Sequence, residues 1–135
     1  MKISAAGSPI DIAVSGMKVQ SARMNAISQN IANSNTTRTA DGKPYRRQDV
    51  VVTSTGGLGG AVLQKVALDG KAGDFKRVLE PGHPDADAEG YVDMPNVDLP
   101  VEMMHMMTAT RAYQANAAVL KRYEDMVDTT LELLR

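Results

Sequence analysis

GMKVQSARMNAISQNIANSNTT, residues 16–37, sets the reading of the whole chain. Met17, Met24 and Ile31 recur along it, with the small Ser21 and Ser28 between them. Carried upstream through Val14 and Ile10, the stripe alternates steps of four and three, and Ile27 widens it. So narrow an apolar seam belongs to a helix that pairs with another helix. Ser8, Pro9 and Asp11 supply its start: a cap, a residue suited to the first helical position, and an anion at the positive end of the dipole. Asn33, Ser34, Asn35, Thr36 and Thr37 end it, because their side chains compete for backbone hydrogen bonds. A helix over residues 10–32 is expected.

The other end of the chain carries the same pattern at greater length. Stepping by four and three from Leu99 meets Met103, Met106, Thr110, Tyr113, Ala117, Leu120, Glu124, Val127, Leu131 and Leu134, nearly all apolar. Asp98 or Asn96 can cap this helix, and Pro100 is tolerable because it falls in the first turn. A helix from 99 to 134 is roughly 54 Å long, whereas a compact domain of this size has a radius of gyration of about 14 Å. The two seams must therefore meet each other, other copies, or both.

Between them the period shortens. Residues 45–54 and 61–68 read as strands, and 73–81 alternate, with Phe75, Arg77 and Leu79 on one face. Residues 55–60 and 69–74 are Gly-rich turns. The fold class expected is α+β and mainly helical: long N- and C-terminal helices pairing as an antiparallel coiled coil, with a small β element of two to four strands between them. The corresponding segments are 1–37, 38–97 and 98–135.

Composition narrows the function. The 135 residues include nine Met but one Phe and no Trp, so adaptable side chains replace the rings that usually anchor a core. The net charge of −1 gives no field for nucleic acid. Charge is nonetheless segregated: residues 1–60 carry +4, and residues 80–104 carry seven acids and no Lys or Arg. That pattern suits docking of unlike patches. With no cysteine the redox compartment stays open. No apolar run is long enough to span a membrane, and the start of the chain lacks the continuous apolar segment of a cleaved signal peptide.

No catalytic or cofactor constellation emerges. HPDADAEGY, residues 83–91, matches the first half of a calcium loop through Asp85, Asp87, Glu89 and Gly90, but Asn96 stands where the bidentate Glu is required. Pro81, Pro84 and Pro95 also exclude the flanking helices. The stretch reads as a stiff acidic connector containing His83, Pro84, Asp85, Asp87 and Tyr91, facing basic residues such as Arg46 and Arg47. His83 and His105 lack both a zinc set and a triad. The Gly-rich run lacks the Lys-Ser/Thr of a phosphate loop.

Three separated motifs then point to a family. Gly16, Arg23, Met24, Ile27, Asn30, Ile31, Ala32, Asn33, Asn35 and Thr36 match the N-terminal signature of bacterial flagellar axial proteins, the rod and hook subunits. TRAYQANAAVLK, residues 110–121, is similar to their C-terminal helix, with Thr110 and Gln114 replacing Ser and Glu. YRRQDVV followed by PGHPDADAEGYVDMPNV resembles the proximal-rod type. Residues 1–10, Pro9 and Pro100 depart from the pattern. The resemblance implies a structural subunit of the rod, exported without signal cleavage through the flagellar type III apparatus and resident in the basal body across the periplasmic space. Its implied partners are copies of itself, other rod proteins and the basal-body base, with no cofactor, no metal and no nucleic acid. The assembly interface expected on this reading comprises Met17, Met24, Ile27, Asn30, Ile31, Asn33 and Asn35 on the first helix. On the second it comprises Met103, Met106, Met107, Tyr113, Asn116, Leu120, Val127 and Leu131. Met104 and His105 are expected on outward faces, and both end segments are expected to order only on assembly.

Overall fold

The computed structural model describes residues 8–54, 61–68 and 75–134, with backbone alone at 54 and 61–65. The N-terminal start signal works as the sequence suggests. Ser8 caps α1 (Pro9–Ala32) in a reciprocal box: its hydroxyl accepts in the first turn, and Asp11 accepts from the Ser8 amide at 3.1 Å. At the far end Asn33 Nδ2 donates to the Gln29 carbonyl at 2.9 Å, and Ser34 Oγ donates to that of Ile31 at 2.9 Å. Terminal carbonyls that would otherwise lack partners are thus satisfied within the chain. Asp98 caps α2 (Leu99–Leu133), accepting from the Val101 amide at 3.2 Å.

The two helices run antiparallel. Asn30 meets Glu102 at one end, Met24 lies against Thr110 midway, and Gly16 lies against Asn116 further on. A Cβ on Gly16 would come within 2.7 Å of the Asn116 amide, so the absent side chain is what permits this close approach. Near the tip Ile10 faces Tyr123. The last ten residues or so of α2 therefore run past the start of α1, by about 15 Å.

Between the helices the described residues form four strands in two antiparallel pairs. β1 (Gln48–Ser54) pairs with β2 (Ala61–Leu68), with a register shift between Val51 and Val52. Both strands of this ribbon pack on α1. β3 (Lys76–Leu79) pairs with β4 (Tyr91–Met94) as a hairpin. The acidic connector of the sequence is the loop of that hairpin. β4 is a strand that the periodicity missed: four residues between a glycine and a proline leave too short a window for alternation to register. In β3 Arg77 and Leu79 share an exposed face and Val78, on the other, is half-buried. The Gly-rich stretches 55–60 and 69–74 lie outside the described residues.

The core sits where small residues let elements approach. Its buried apolar members among the described residues are Ala13, Val19, Ala26, Ile27, Val50, Val92 and Ala109. This corrects the seams. On α1 the buried line runs one step aside from the Met17–Met24–Ile31 line, which is only half-buried. On α2 the centre is Glu102 and Ala109, whereas Leu99 and Met103 are exposed. Reading the stripe from its largest side chains put it on the flank of a contact whose middle is alanine and glycine.

Candidate functional site

Asn30 falls on the buried line of α1 three residues after Ile27, so an amide enters the core and all of its hydrogen-bonding groups must be satisfied. They are. Its Nδ2 donates to the Gln48 carbonyl at 2.9 Å and to Glu102 Oε2 at 3.1 Å. Its Oδ1 accepts from the Gln48 amide at 2.8 Å and from the Tyr45 hydroxyl at 3.0 Å. Two donors and two lone pairs are the whole capacity of a carboxamide. The side chain therefore behaves like a short strand at the start of β1, fastening it to the helices.

Glu102 completes the cluster from the first turn of α2, where the dipole favours its charge. Its side chain is 1% exposed, and Arg47 Nε donates to Oε1 at 2.7 Å. His105 Nδ1 lies 3.9 Å from the same oxygen, on the rim of the helix pair and not on its outer face. Burial, then the nearby Glu102 charge, raises the Tyr45 pKa above its ordinary value, with Arg47 acting in the opposite direction. Tyr45 remains a hydroxyl donor to Asn30 throughout the neutral range. Among the described residues, no buried side-chain nitrogen or oxygen lacks a hydrogen-bond partner. Such a saturated cluster holds three elements in register.

The hairpin loop is likewise organised by its own groups. Asp87 Oδ1 accepts from the Tyr91 amide at 2.8 Å and the Glu89 amide at 2.9 Å, and its other oxygen takes the Arg77 guanidinium. These donors, the Tyr91 amide foremost, hold the Asp87 carboxyl below the usual aspartate range. Arg77 also lies over the Tyr91 ring, 4.8 Å from its centroid. His83 Nδ1 accepts from the Asp85 amide at 3.1 Å, and Gly90 turns the chain back with φ of 85°. Asp85 takes the Thr37 hydroxyl at 2.8 Å and Arg38 at 3.3 Å. Both aspartates of the half calcium loop are thus engaged by protein donors. The expected partners Arg46 and Arg47 are elsewhere: Arg46 lies over the Phe75 ring, and Arg47 is on Glu102. Sign alone had favoured that pairing, but β1 carries Arg47 to the helices instead.

The residues expected at an assembly interface separate into two groups. Met17, Met24, Ile27 and Ile31 on α1, with Met106, Tyr113, Asn116 and Leu120 on α2, are buried or half-buried within the chain. Asn30 is 0% exposed and spent internally, and Asn33 serves the α1 terminus. Asn35, Met103, Met107, Val127 and Leu131 are exposed. Met103, Met104 and Met107 are 61, 58 and 56% exposed, and Leu131 and Leu134 are 60 and 80% exposed. Glu102 and Arg47, central to the cluster, were missed. The one signal available was a charged residue within a long apolar-seamed helix, with an arginine alone able to match it.

No described helix is long and apolar enough to cross a membrane. The model of the family described as "Flagella basal body rod protein" matches residues 10–38. That described as "Flagellar basal body rod FlgEFG protein C-terminal" matches residues 88–133. The flagellar basal-body rod protein FlgC of Escherichia coli O6:H1 is 44% identical over 126 residues, covering 91% of this chain and 93% of the relative. The chain belongs to the FlgC family of flagellar basal-body rod proteins. FlgC of Agrobacterium fabrum is 40% identical over 129 residues, spanning 92% of this chain and 91% of its own length. FlgC of Bacillus subtilis is 34% identical over 142 residues, spanning 92% and 95%. As a FlgC-family member, the chain is a structural component of the flagellar basal-body rod. The two family matches fall on α1 and on β4 with α2, and the polar cluster joins the two helices within them through Asn30 and Glu102.

Proposed function

We propose that this chain forms part of the proximal rod, where copies of it and other rod subunits stack into a helical tube that transmits torque. One observation carries the reading: the paired helices cover their inner faces and leave Leu99, Met103, Met104, Met107, Leu131 and Leu134 exposed along one 35-residue helix. Apolar surface of that extent marks an interaction face. Contacts that repeat without closing generate a helical array. Many modest contacts along a long helix also spread a shear load better than a single anchor does. The role is structural, not catalytic: the polar groups that the fold buries are spent on one another. Before assembly the chain passes through the flagellar export apparatus, and in place it meets the base of the basal body.

Replacing Met24 or Leu120 by Asp puts a charge into the intrachain helix contact, and Met107→Asp puts one on the exposed face. The first two should fail in folding and swimming together. Met107→Asp should keep the melting temperature of the wild-type chain yet leave cells unable to build rods or swim. Normal swimming with Met107→Asp rejects the reading.

A further inference from the structure

The charges of α2 divide along its length. From Met103 to Tyr123 the helix carries Arg111, Lys121 and Arg122 and no carboxylate. From Glu124 to Leu134 it carries Glu124, Asp125, Asp128 and Glu132 and no cation, the next one along the sequence being Arg135. All seven are exposed, and among the described residues none of them takes part in an ion pair. Glu132 sits in the last turn, at the negative end of the helix dipole, with no base in that turn. That placement is unfavourable, and a surface that supplies positive charge relieves it. It coincides with the part of α2 that outruns α1, where the apolar line that meets Ile10 at Tyr123 and Val127 continues exposed through Leu131 and Leu134.

The opposite face of α2 offers the complement. Met104, Met107, Arg111, Ala115, Ala118 and Arg122 follow one another at steps of three and four, all exposed, on the side turned away from α1. Two alanines between two arginines make a shallow groove with cationic ends, suited to a helix bearing larger apolar residues beside acids. A parallel neighbour displaced by about 13 residues, roughly 20 Å, fits the two together. Val127 and Leu131 then lie over Ala115 and Ala118, and Glu124 comes beside Arg111.

We infer that the acidic end of α2, residues 124–134, docks on the Arg111–Arg122 face of α2 in a second copy of the chain. This rests on the rod-subunit reading and gives it a direction. The two surfaces differ, so each copy offers one of each and the contact is head-to-tail. Like ends repel, which disfavours a closed symmetric dimer.

The chain has no cysteine, so Ala118→Cys with Leu131→Cys introduces the only thiols. Within one α2 they stand about 20 Å apart, too far for an intrachain disulfide, which needs Cα atoms within about 7 Å. Oxidation of basal bodies containing the double variant should give covalent dimers, trimers and higher forms, and neither single variant should give anything beyond a dimer. Basal bodies that incorporate the double variant in swimming cells but yield no cross-linked ladder overturn the docking and leave the rod reading intact. Absence of the unmodified chain from basal bodies would overturn the rod reading itself. In the purified full-length chain, Glu124→Arg should weaken low-salt self-association at least tenfold, and Arg111→Glu in the same chain should restore it. Equal association by all three proteins overturns the docking independently of incorporation.

Discussion

At Asn30 the side chain makes four hydrogen bonds, two of them to the backbone of Gln48. No other residue of that size offers two donors and two acceptors in one plane, so the position is chemically specified from within the subunit. The charge on Glu102 follows from the same geometry, because Asn30 Nδ2 and Arg47 Nε both need an acceptor there. Removing one member of such a pair strands the other in a dry site, at a cost of about 3–5 kcal/mol. Glu102→Ala and Arg47→Ala should each lower unfolding stability by that order. Arg47→Met combined with Glu102→Leu replaces both charges with apolar bulk and should recover most of the loss, while leaving Asn30 Nδ2 one acceptor short. A chemical denaturation series on the four proteins checks this. Equal stability of wild type and Glu102→Ala would show that the cluster contributes nothing.

The helices illustrate which features of an element sequence can reveal. Their extents were legible because ends carry local chemistry: Ser8, Pro9 and Asp11 at one terminus, Asn33 and Ser34 at another, Asp98 at a third. Their phase was less legible, because the contact is made by Ala13, Gly16, Ala26 and Ala109, which hydropathy barely registers. The family was legible from motifs at both ends. The polar cluster was not, since it joins residues up to 72 positions apart. The β3–β4 hairpin is a further element whose order depends on one side chain. Asp87 is held below its ordinary pKa by donors present only in the folded loop. A depressed acid contributes above its unfolded pKa, about 3.9 for aspartate, and loses that contribution as pH falls through the lower folded value. Amide protection at Glu89 and Tyr91 should therefore persist near pH 4 and vanish only in stronger acid. In Asp87→Ala it should be absent at both. Protection in the variant equal to that of wild type would assign the turn to Gly90 and the prolines alone.

Over the whole molecule, the imbalance between what is buried and what is exposed governs behaviour. Among the described residues, three of the seven buried apolar ones are alanines, and alanine contributes little apolar area. Opposite them stand four methionines and several leucines of α2, each more than half exposed. Conformational entropy costs on the order of 1–2 kcal/mol per ordered residue, and a core this thin leaves little margin against it. Neighbours in the rod would cover the remaining surface and add stabilisation, with ordering of the overhanging end of α2 coupled to assembly. Hydrogen exchange separates this from a self-sufficient fold, because it reads stability segment by segment. In the isolated full-length chain, amides over residues 124–133 should exchange close to the rate of an unstructured peptide. In assembled basal bodies the same amides should slow by about 100-fold or more. The paired region, tied by Asn30 and Glu102, should be the last part of the monomer to lose protection, and the acidic overhang the first. A verified monomer with both helices as protected as in the rod would mean that the internal contacts suffice, and the exposed face of α2 would then need another explanation.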